Sequence, residues 1–250
     1  MGTVPICINR NRPHWSSHVQ CQDLTPLILA AGFSSRMKKT AGAGTAGGNG
    51  QGIKALLTLT GGVTFLEEIY RKVSFFSEKV IVVLGADKDE IAKRSKLAGA
   101  GAGRAQIVYN DKYENGMFSS LKKGLSRVPR GNAFMINPVD CPVVKKETYE
   151  RLVFEWQKAP GKIHILSFNR RRGHPAIYPA FLVEEILKSP DDLPGGLKFF
   201  LEREKELISY VDTEDEGVIM DADTFADYER MEEASQREAG EPPEDVRGKK

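Results

Sequence analysis

The sequence predicts an α/β fold in which a mostly parallel sheet is covered by helices on both faces. Three short apolar runs, residues 26–31, 80–84 and 133–138, lack the alternation of polar residues that one-sided strands show. Such runs are typical of strands buried on both faces. Amphipathic segments lie between them, so strands and helices alternate along the chain. The length of 250 residues suits one large domain or at most two small ones.

The first of these runs, residues 26–31, leads directly into a polar loop. Gly32 allows a ligand to approach the backbone closely, and Ser34 and Ser35 offer hydroxyl donors. Arg36 adds a planar guanidinium that suits phosphate. Open α/β sheets bind ligands at the carboxyl ends of their strands. The stretch therefore predicts a phosphate-binding loop, with an ordinary turn bearing a solvated basic face as the alternative.

A glycine-rich segment follows over residues 40–52 and is expected to be a flexible insert, either a lid or inert. Within it, Gly42, Gly44 and Gly47 match the GxGxxG fingerprint of dinucleotide-binding proteins. That fingerprint should leave a strand directly and open a helix, and these glycines do neither. A dehydrogenase is therefore disfavoured, and the lack of a suitably spaced GK[ST] sequence excludes a P-loop.

The elements after this loop alternate in type, and Thr64 with Glu67 forms a capping box at the first helix. In chain order we predict a helix over 64–76, a strand over 80–84, a helix over 88–98, a strand over 106–109, a helix around 118–128, a strand over 133–138, a helix over 149–156, a strand over 163–168, a helix after residue 198, a strand over 217–223 and a last helix after Thr224.

Two further segments place carboxylates near strand ends. Asp140 follows the strand that ends at Pro138, at the same predicted sheet edge as the polar loop. A carboxylate there can hold Mg²⁺ that bridges phosphate oxygens. An aspartate in a tight turn is about as common without a metal, so this hypothesis depends on the loop. Asp221 and Asp223 end the predicted strand over 217–223 and lie on one side of an extended chain.

These motifs together resemble the signature of the MobA-like nucleotidyltransferases, which include molybdenum cofactor cytidylyl- and guanylyltransferases. The matching pieces are LAAGFSSRM, KALL, DCPVV and MDADTFADY, in the family's order and within residues 24–232. The resemblance implies a Rossmann-like, three-layer nucleotidyltransferase fold of the GT-A type. The chain departs from the pattern by its long insert before Lys54, by Phe225 and Ala226 in the last motif, and by Lys198 in place of an arginine.

The resemblance also implies the roles of individual residues. The loop would hold an NTP with Lys54 reaching its phosphates, and the segment after Asn115 would line the nucleobase pocket. The implied nucleotide-binding residues are Leu29, Ala30, Ala31, Gly32, Ser34, Ser35, Arg36, Lys54, Gly116, Met117, Ser119 and Ser120. Arg36, Lys54 and Asp140 would act in catalysis, and Asp140 with Asp221 or Asp223 would hold Mg²⁺.

The sequence RRRGHPAIY follows the strand over 163–168 and suits either a solvated hairpin tip or a binding loop. Its RGHP portion is similar to the cytidylyltransferase branch of the family, which implies that Arg172, Gly173, His174 and Lys198 contact a phosphorylated acceptor. The implied reaction joins CMP from CTP to a molybdopterin-like acceptor, with a molybdoenzyme or its chaperone as a further partner. A sugar- or alditol-phosphate nucleotidyltransferase and a non-catalytic accessory protein remain as alternatives.

Bulk composition excludes several other classes of protein. A net charge of +2 gives no field of one sign that would favour nucleic acid or a membrane surface. No apolar run approaches the roughly 20 residues that span a bilayer, and the start lacks a signal-peptide pattern, so we expect a cytoplasmic protein. The three cysteines are too few for a disulfide framework. We expect an irregular extension over 1–24, one domain over 25–232 and a disordered polar tail over 233–250.

Overall fold

The computed structural model describes residues 21–35, 52–98 and 105–240. Several sequence predictions therefore fall outside the described residues. These are the predicted N-terminal extension up to residue 20, Arg36, the glycine-rich insert up to residue 51 with its GxGxxG glycines, and the predicted tail beyond residue 240.

A seven-stranded sheet forms the centre of the described chain. Its strands are β1 (Leu24–Ala30), β2 (Val80–Leu84), β3 (Ala105–Tyr109), β4 (Ala133–Pro138), β5 (Ile163–Phe168), β6 (Arg171–Tyr178) and β7 (Ile208–Asp212). The spatial order is β3-β2-β1-β4-β6-β5-β7. Only β6 runs antiparallel to its neighbours β4 and β5 within this sheet, and the other pairs are parallel. The predicted mostly parallel sheet is confirmed.

Helices cover both faces of this sheet, which confirms the three-layer α/β arrangement. The described α-helices are α1 (Phe65–Val73), α2 (Lys88–Arg94), α3 (Met117–Leu125), α4 (Lys146–Lys158), α5 (Phe181–Lys188), α6 (Leu197–Arg203) and α7 (Phe225–Gly240). Buried side chains of α1, α2, α4 and α7 belong to one core cluster, and those of α3, α5 and α6 belong to the other.

Strand β1 lies between these two clusters and is buried along its whole length. Leu24 and Ile28 pack into one cluster, whereas Leu27 and Leu29 pack into the other. This alternation follows from the two-residue period of a strand, and it explains why the run shows no polar positions.

The capping box at α1 is confirmed. The Glu67 backbone N–H donates to Thr64 Oγ1 at 3.2 Å, and the Thr64 N–H donates to a Glu67 carboxylate oxygen at 3.1 Å. Thr224 caps α7 in the predicted way, because the Asp227 N–H donates to its hydroxyl. Helix α7 continues to Gly240, through residues 233–240 that the sequence assigned to the polar tail. No helix in the described chain is both long enough and apolar enough to cross a membrane.

The predicted strand over 217–223 is wrong. Residues Glu216–Ile219 form a short 3-10 helix instead. The Asp215 carboxylate accepts the Gly217 N–H at 3.0 Å, which turns the chain at this point. Gly217 lies so close to the carbonyl of Val143 that a Cβ would approach its oxygen to 2.7 Å. The last strand is β7, which the sequence analysis missed together with α5 and β6.

Gly124 sets the distance between α3 and the sheet. A Cβ added there would lie 2.7 Å from Leu27 Cδ2 and 2.9 Å from Val83 Cγ2. We therefore expect Gly124→Ala to destabilise the protein by about 1–3 kcal/mol through overpacking, measured by urea unfolding. Gly161→Ala is the matched control, because a Cβ there meets nothing within 4 Å. Equal stability of the two variants would contradict this account of the packing.

Candidate active site

The carboxyl ends of β1 and β4 place two of the predicted motifs side by side. The strands are parallel with Leu29 opposite Pro138. The Val139 N–H donates to the Leu29 carbonyl at 3.1 Å, which extends the pairing to the strand ends. The polar loop that begins at Gly32 and the turn that carries Asp140 therefore leave the sheet at the same edge.

A cavity of about 450 Å³ opens at this edge. Many of the residues predicted to bind nucleotide or metal line it, namely Leu29, Ala30, Ala31, Gly32, Ser34, Ser35, Lys54, Gly116, Met117, Ser120, Asp140 and Asp223. Phe33 and Tyr113 also line the cavity, with their rings edge to face and 5.1 Å between centroids. The Phe33 side chain is 49% exposed, so an apolar surface faces this space.

The polar loop is held in an unusual conformation. Ser34 has a φ of +51°, in the left-handed region that costs energy for a residue with a side chain. Its hydroxyl accepts the Lys54 backbone N–H at 3.1 Å. This bond joins the loop to the segment beyond the insert, so Ser34 and Lys54 face the same cavity although 20 positions separate them.

The Lys54 ammonium bridges two carboxylates. Its Nζ donates to Asp140 Oδ2 at 3.2 Å and to Asp223 Oδ1 at 2.9 Å. Burial of the ammonium lowers the pKa of Lys54, but the charges and hydrogen bonds of Asp140 and Asp223 outweigh burial and raise this pKa above its ordinary value. Lys54 is therefore a cation at any physiological pH.

Asp140 also belongs to a group of side chains that could hold a metal ion. Ligand atoms of Asp140, Cys141 and Asp221 lie within 4.8 Å of one another. The Cys141 thiol donates to Asp221 Oδ1 at 2.9 Å, and burial, followed by the charges of both aspartates, raises its pKa well above the ordinary value. The thiol is thus protonated, and the carboxylate oxygens are the ligands that suit a hard divalent cation such as Mg²⁺. The donor set fits such an ion.

A buried lysine that the sequence analysis missed fixes the turn after Asp140. Lys72 Nζ donates to the carbonyl oxygens of Pro142 at 2.9 Å and Val144 at 2.7 Å, and Glu68 lies 3.0 Å away. Its side chain is only 5% exposed. The signal was present in the sequence, because Lys72 lies on the apolar face of α1, seven residues after Phe65.

The N-terminus of α3 forms another wall of the cavity, and Asn110, also missed, holds it in place. The Asn110 side-chain amide donates to the hydroxyls of Ser119 and Ser120, each at 3.0 Å. Ser119 lies 2.8 Å from the Gly116 carbonyl and does not line the cavity, whereas Ser120 does. Gly116 has a φ of +87°, which favours glycine at this N-cap.

A second, mostly apolar cavity of about 360 Å³ adjoins the first, since Leu29 and Met117 line both. His174 and Lys198 line this second cavity together with apolar side chains of α3 and β4. The half-buried His174 has a buried Nδ1 without a hydrogen-bond partner in the described residues. Buried polar atoms in folded proteins usually have a hydrogen-bond partner.

The other two predicted acceptor residues lie elsewhere. Arg172 Nε donates to the Tyr210 hydroxyl at 2.8 Å, and the guanidinium lies over the Tyr210 ring. Gly173 packs against Val218, where any Cβ would collide with the Val218 carbonyl. The structure therefore brings His174 and Lys198 together and gives Arg172 and Gly173 other contacts.

Burial favours the neutral form of His174. It lowers the pKa of the imidazole, and the charges of Asp221 and Asp140 oppose this only in part. Because the folded protein then binds fewer protons than the unfolded chain, stability should decline as pH falls below the ordinary histidine pKa of about 6.5. We expect His174→Asn to flatten this decline, measured as Tm against pH from about 7 to 5. An unchanged slope would contradict the assignment.

The fold and this edge of the sheet define an α/β nucleotide-binding protein with an acidic group able to hold a divalent metal. The chain belongs to the MobA-like NTP transferase domain family, whose sequence profile matches residues 26–207, well over half of the chain. This confirms the resemblance seen in the sequence and places the protein among the nucleotidyltransferases.

Similar solved structures share the fold. Rv0371c from Mycobacterium tuberculosis H37Rv is 23% identical, with a TM-score of 0.64 over 85% of this chain and 98% of that one. A nucleotidyl transferase from Methanothermobacter is 23% identical, with a TM-score of 0.67 over 86% and 98% of the two chains.

Molybdopterin-guanine dinucleotide biosynthesis protein A from Archaeoglobus fulgidus is 19% identical, with a TM-score of 0.57 over 85% of this chain and 99% of that one. Rv0371c has also been solved in complex with manganese. Comparison with curated protein sequences gives no significant match. At these identities the similarity of the solved structures establishes the fold alone.

Proposed function

We propose that the protein is a Mg²⁺-dependent nucleotidyltransferase that joins CMP from CTP to a phosphate group on a molybdopterin-like acceptor. The observation that supports this proposal is that Lys54 binds both Asp140 and Asp223 in the cavity that the polar loop lines. A cation and two carboxylates beside the backbone N–H groups and hydroxyls of this loop suit a triphosphate with its metal.

In the proposed reaction, an oxygen of the acceptor phosphate attacks the α-phosphorus of the NTP. A new P–O bond forms there, the bond from the α-phosphorus to the bridging oxygen of the β-phosphate breaks, and pyrophosphate leaves with that oxygen and its electron pair. The acceptor phosphate is already ionised near neutral pH, so no protein base is needed. Such transfer depends on positioning and charge stabilisation more than on a protein nucleophile.

We assign the roles as follows. Ser34, Ser35 and the backbone from Gly32 hold the triphosphate, with Lys54 and Arg36 as its cations. Asp140 and Asp223 would hold Mg²⁺, which when bound neutralises charge on the phosphate oxygens. Asp223 is preferred to Asp221 because it lines the nucleotide cavity and shares Lys54 with Asp140.

The base is proposed to lie against the N-terminus of α3. Gly116, Met117 and Ser120 border the cavity there, and Asn110 fixes the Ser120 hydroxyl. Backbone N–H groups at a helix start can donate to the acceptor edge of a base. The preference for CTP rests on the RGHP sequence, which resembles the cytidylyltransferase branch.

The acceptor is proposed to occupy the second cavity. Most of its lining is apolar, although Asp191 and Asp192 also border it. Apolar walls suit a flat heterocycle better than a polyhydroxylated sugar, which would leave hydroxyls without partners there. His174 and Lys198 both line this cavity, and Lys198 offers a cation for the acceptor phosphate.

Pyrophosphate release by the purified full-length protein tests this proposal. CTP, GTP, ATP and UTP are each supplied with Mg²⁺ and either molybdopterin or an alditol phosphate. We expect release with CTP and molybdopterin. His174→Asn and Lys198→Met should raise the KM for the acceptor more than the KM for CTP, because both residues line the second cavity and neither lines the first.

If the alditol phosphate supports turnover and molybdopterin does not, the acceptor assignment is wrong and the reaction class stands. Binding of nucleotide without release in any combination would favour a non-catalytic accessory protein. Gly161→Ala is the control for handling losses, since residue 161 lies outside both cavities.

A further inference from the structure

We infer that Lys54 is an exchangeable counter-ion, whose ammonium holds the two metal-binding carboxylates until an NTP draws it away. The inference rests on the proposed function, since it takes a triphosphate and a divalent cation as the ligands of this cavity. It concerns the order and coupling of their binding rather than the reaction itself.

The geometry makes the two cations compete. The Lys54 ammonium lies 3.2 Å from Asp140 Oδ2 and 2.9 Å from Asp223 Oδ1, so it occupies the space between these oxygens. Mg²⁺ binds carboxylate oxygens at about 2.0–2.1 Å and requires near-octahedral geometry. A divalent ion held by the same two oxygens would therefore lie close to the positive charge of the ammonium, and the two cations repel each other.

The strength of the ion pairs makes this competition matter. The Lys54 side chain is 13% exposed, and those of Asp140 and Asp223 are 28% and 43% exposed. Charges that are partly withdrawn from water are screened less than surface pairs. Without Lys54, two carboxylates would face each other across this gap and would attract a divalent cation more strongly.

The position of the lysine backbone gives the ammonium a second place to bind. The Lys54 backbone N–H donates to Ser34 Oγ at 3.1 Å, so the lysine side chain is anchored beside the polar loop. A flexible four-carbon stem allows Nζ to turn from the carboxylates to phosphate oxygens within the same cavity. An NTP thus supplies the negative charge that releases Asp140 and Asp223.

The consequence is positive coupling between nucleotide and metal, with weak binding of metal alone. Coupling alone does not identify the cause, because phosphate oxygens that ligate the metal also produce it. The two causes differ in the protein without nucleotide. Exchange predicts that removing the ammonium tightens the binding of metal alone, whereas ligation by phosphate predicts no change.

Titration with Mn²⁺ alone, followed by electron paramagnetic resonance of the free ion, tests this on the full chain. We expect Lys54→Met to bind Mn²⁺ about tenfold more tightly than the wild type. Lys145→Met is the matched control, because Lys145 lines a groove with Asp221 and Asp223 and its loss changes net charge equally. It should change the Mn²⁺ affinity by less than about threefold.

A repeat with a non-hydrolysable CTP analogue should tighten Mn²⁺ binding more in the wild type than in Lys54→Met. Lys54→Gln is the second variant if the methionine protein does not fold. Affinity in both variants no tighter than in Lys145→Met would overturn the exchange.

The result is separable from the proposed reaction. Tighter Mn²⁺ binding without any pyrophosphate release would overturn the reaction and keep the exchange. Turnover in the wild type with unchanged Mn²⁺ affinity in the Lys54 variants would support the reaction and overturn the exchange.

Discussion

Asp140→Asn should lower kcat/KM for nucleotidyl transfer by about 10³-fold, the upper range for loss of one preorganised electrostatic group. The amide keeps the shape of the side chain but removes the charge that would hold the divalent cation. It also removes one of the two anionic partners of Lys54. The loss should shrink as Mg²⁺ is raised, because a weakened metal site is filled again by mass action.

Asp221→Asn is the matched control for this change. It removes the same charge a short distance away, but Asp221 is exposed, pairs with the Cys141 thiol and does not line the cavity at the ends of β1 and β4. We expect a smaller loss, of about 10–100-fold, in the range of a residue beside the metal ligands. Pyrophosphate release over a series of Mg²⁺ concentrations measures both variants. Equal losses, or full turnover of Asp140→Asn at low Mg²⁺, would refute the metal assignment.

The edge of the sheet that carries the site could be predicted because its two motifs each follow a fully buried strand. In parallel strands the carboxyl ends meet at one edge, so the order of apolar runs was enough to bring Gly32 and Asp140 together. The partners of these groups could not be predicted in the same way. The bond from Asn110 to Ser120 and the contact of Lys72 with Pro142 depend on how helices pack on the sheet.

The RGHP sequence illustrates a second limit. The sequence indicated an acceptor site but not which side chains would face it. Strand β6 sends alternate residues to opposite faces, so Arg172 and His174 share one face and Gly173 does not. Arg172 lies two residues before His174 in the strand, away from the cavity, and its side chain contacts Tyr210. The pairing of β5 with β6 on one side and with β7 on the other, which no sequence pattern specified, brings Arg172 near Tyr210.

The segment over 217–223 shows why the positions of Asp221 and Asp223 were hard to predict from the sequence. Its apolar residues suggested a strand, yet Asp215 caps a short 3-10 helix there. The Ala222 N–H donates to the Asp140 carbonyl at 2.9 Å, so the irregular chain after this helix still contacts the turn that carries Asp140. This backbone hydrogen bond and the bond from the Cys141 thiol to Asp221 both join the two acidic motifs, and no local pattern encodes them.

Lys72→Met should destabilise the protein by about 3 kcal/mol, in the range for removing one partner of a buried ion pair. Three groups lose their donor, namely the carbonyls of Pro142 and Val144 and the carboxylate of Glu68. Methionine has a similar length and fills the space, so the loss reflects unpaired polar groups rather than a cavity. Urea unfolding followed by circular dichroism measures the free energy of unfolding.

Arg71→Met provides the comparison, since Arg71 is the preceding residue of α1 and also binds Glu68. Its side chain is 67% exposed, so we expect a loss below about 1 kcal/mol. The same variants separate positioning from stability, because Lys72 holds the turn that carries Asp140. Lys72→Met should weaken Mn²⁺ binding under conditions where the protein is fully folded, and Arg71→Met should not. Equal stability of the two variants would show that the bonds of Lys72 to the turn carry little free energy.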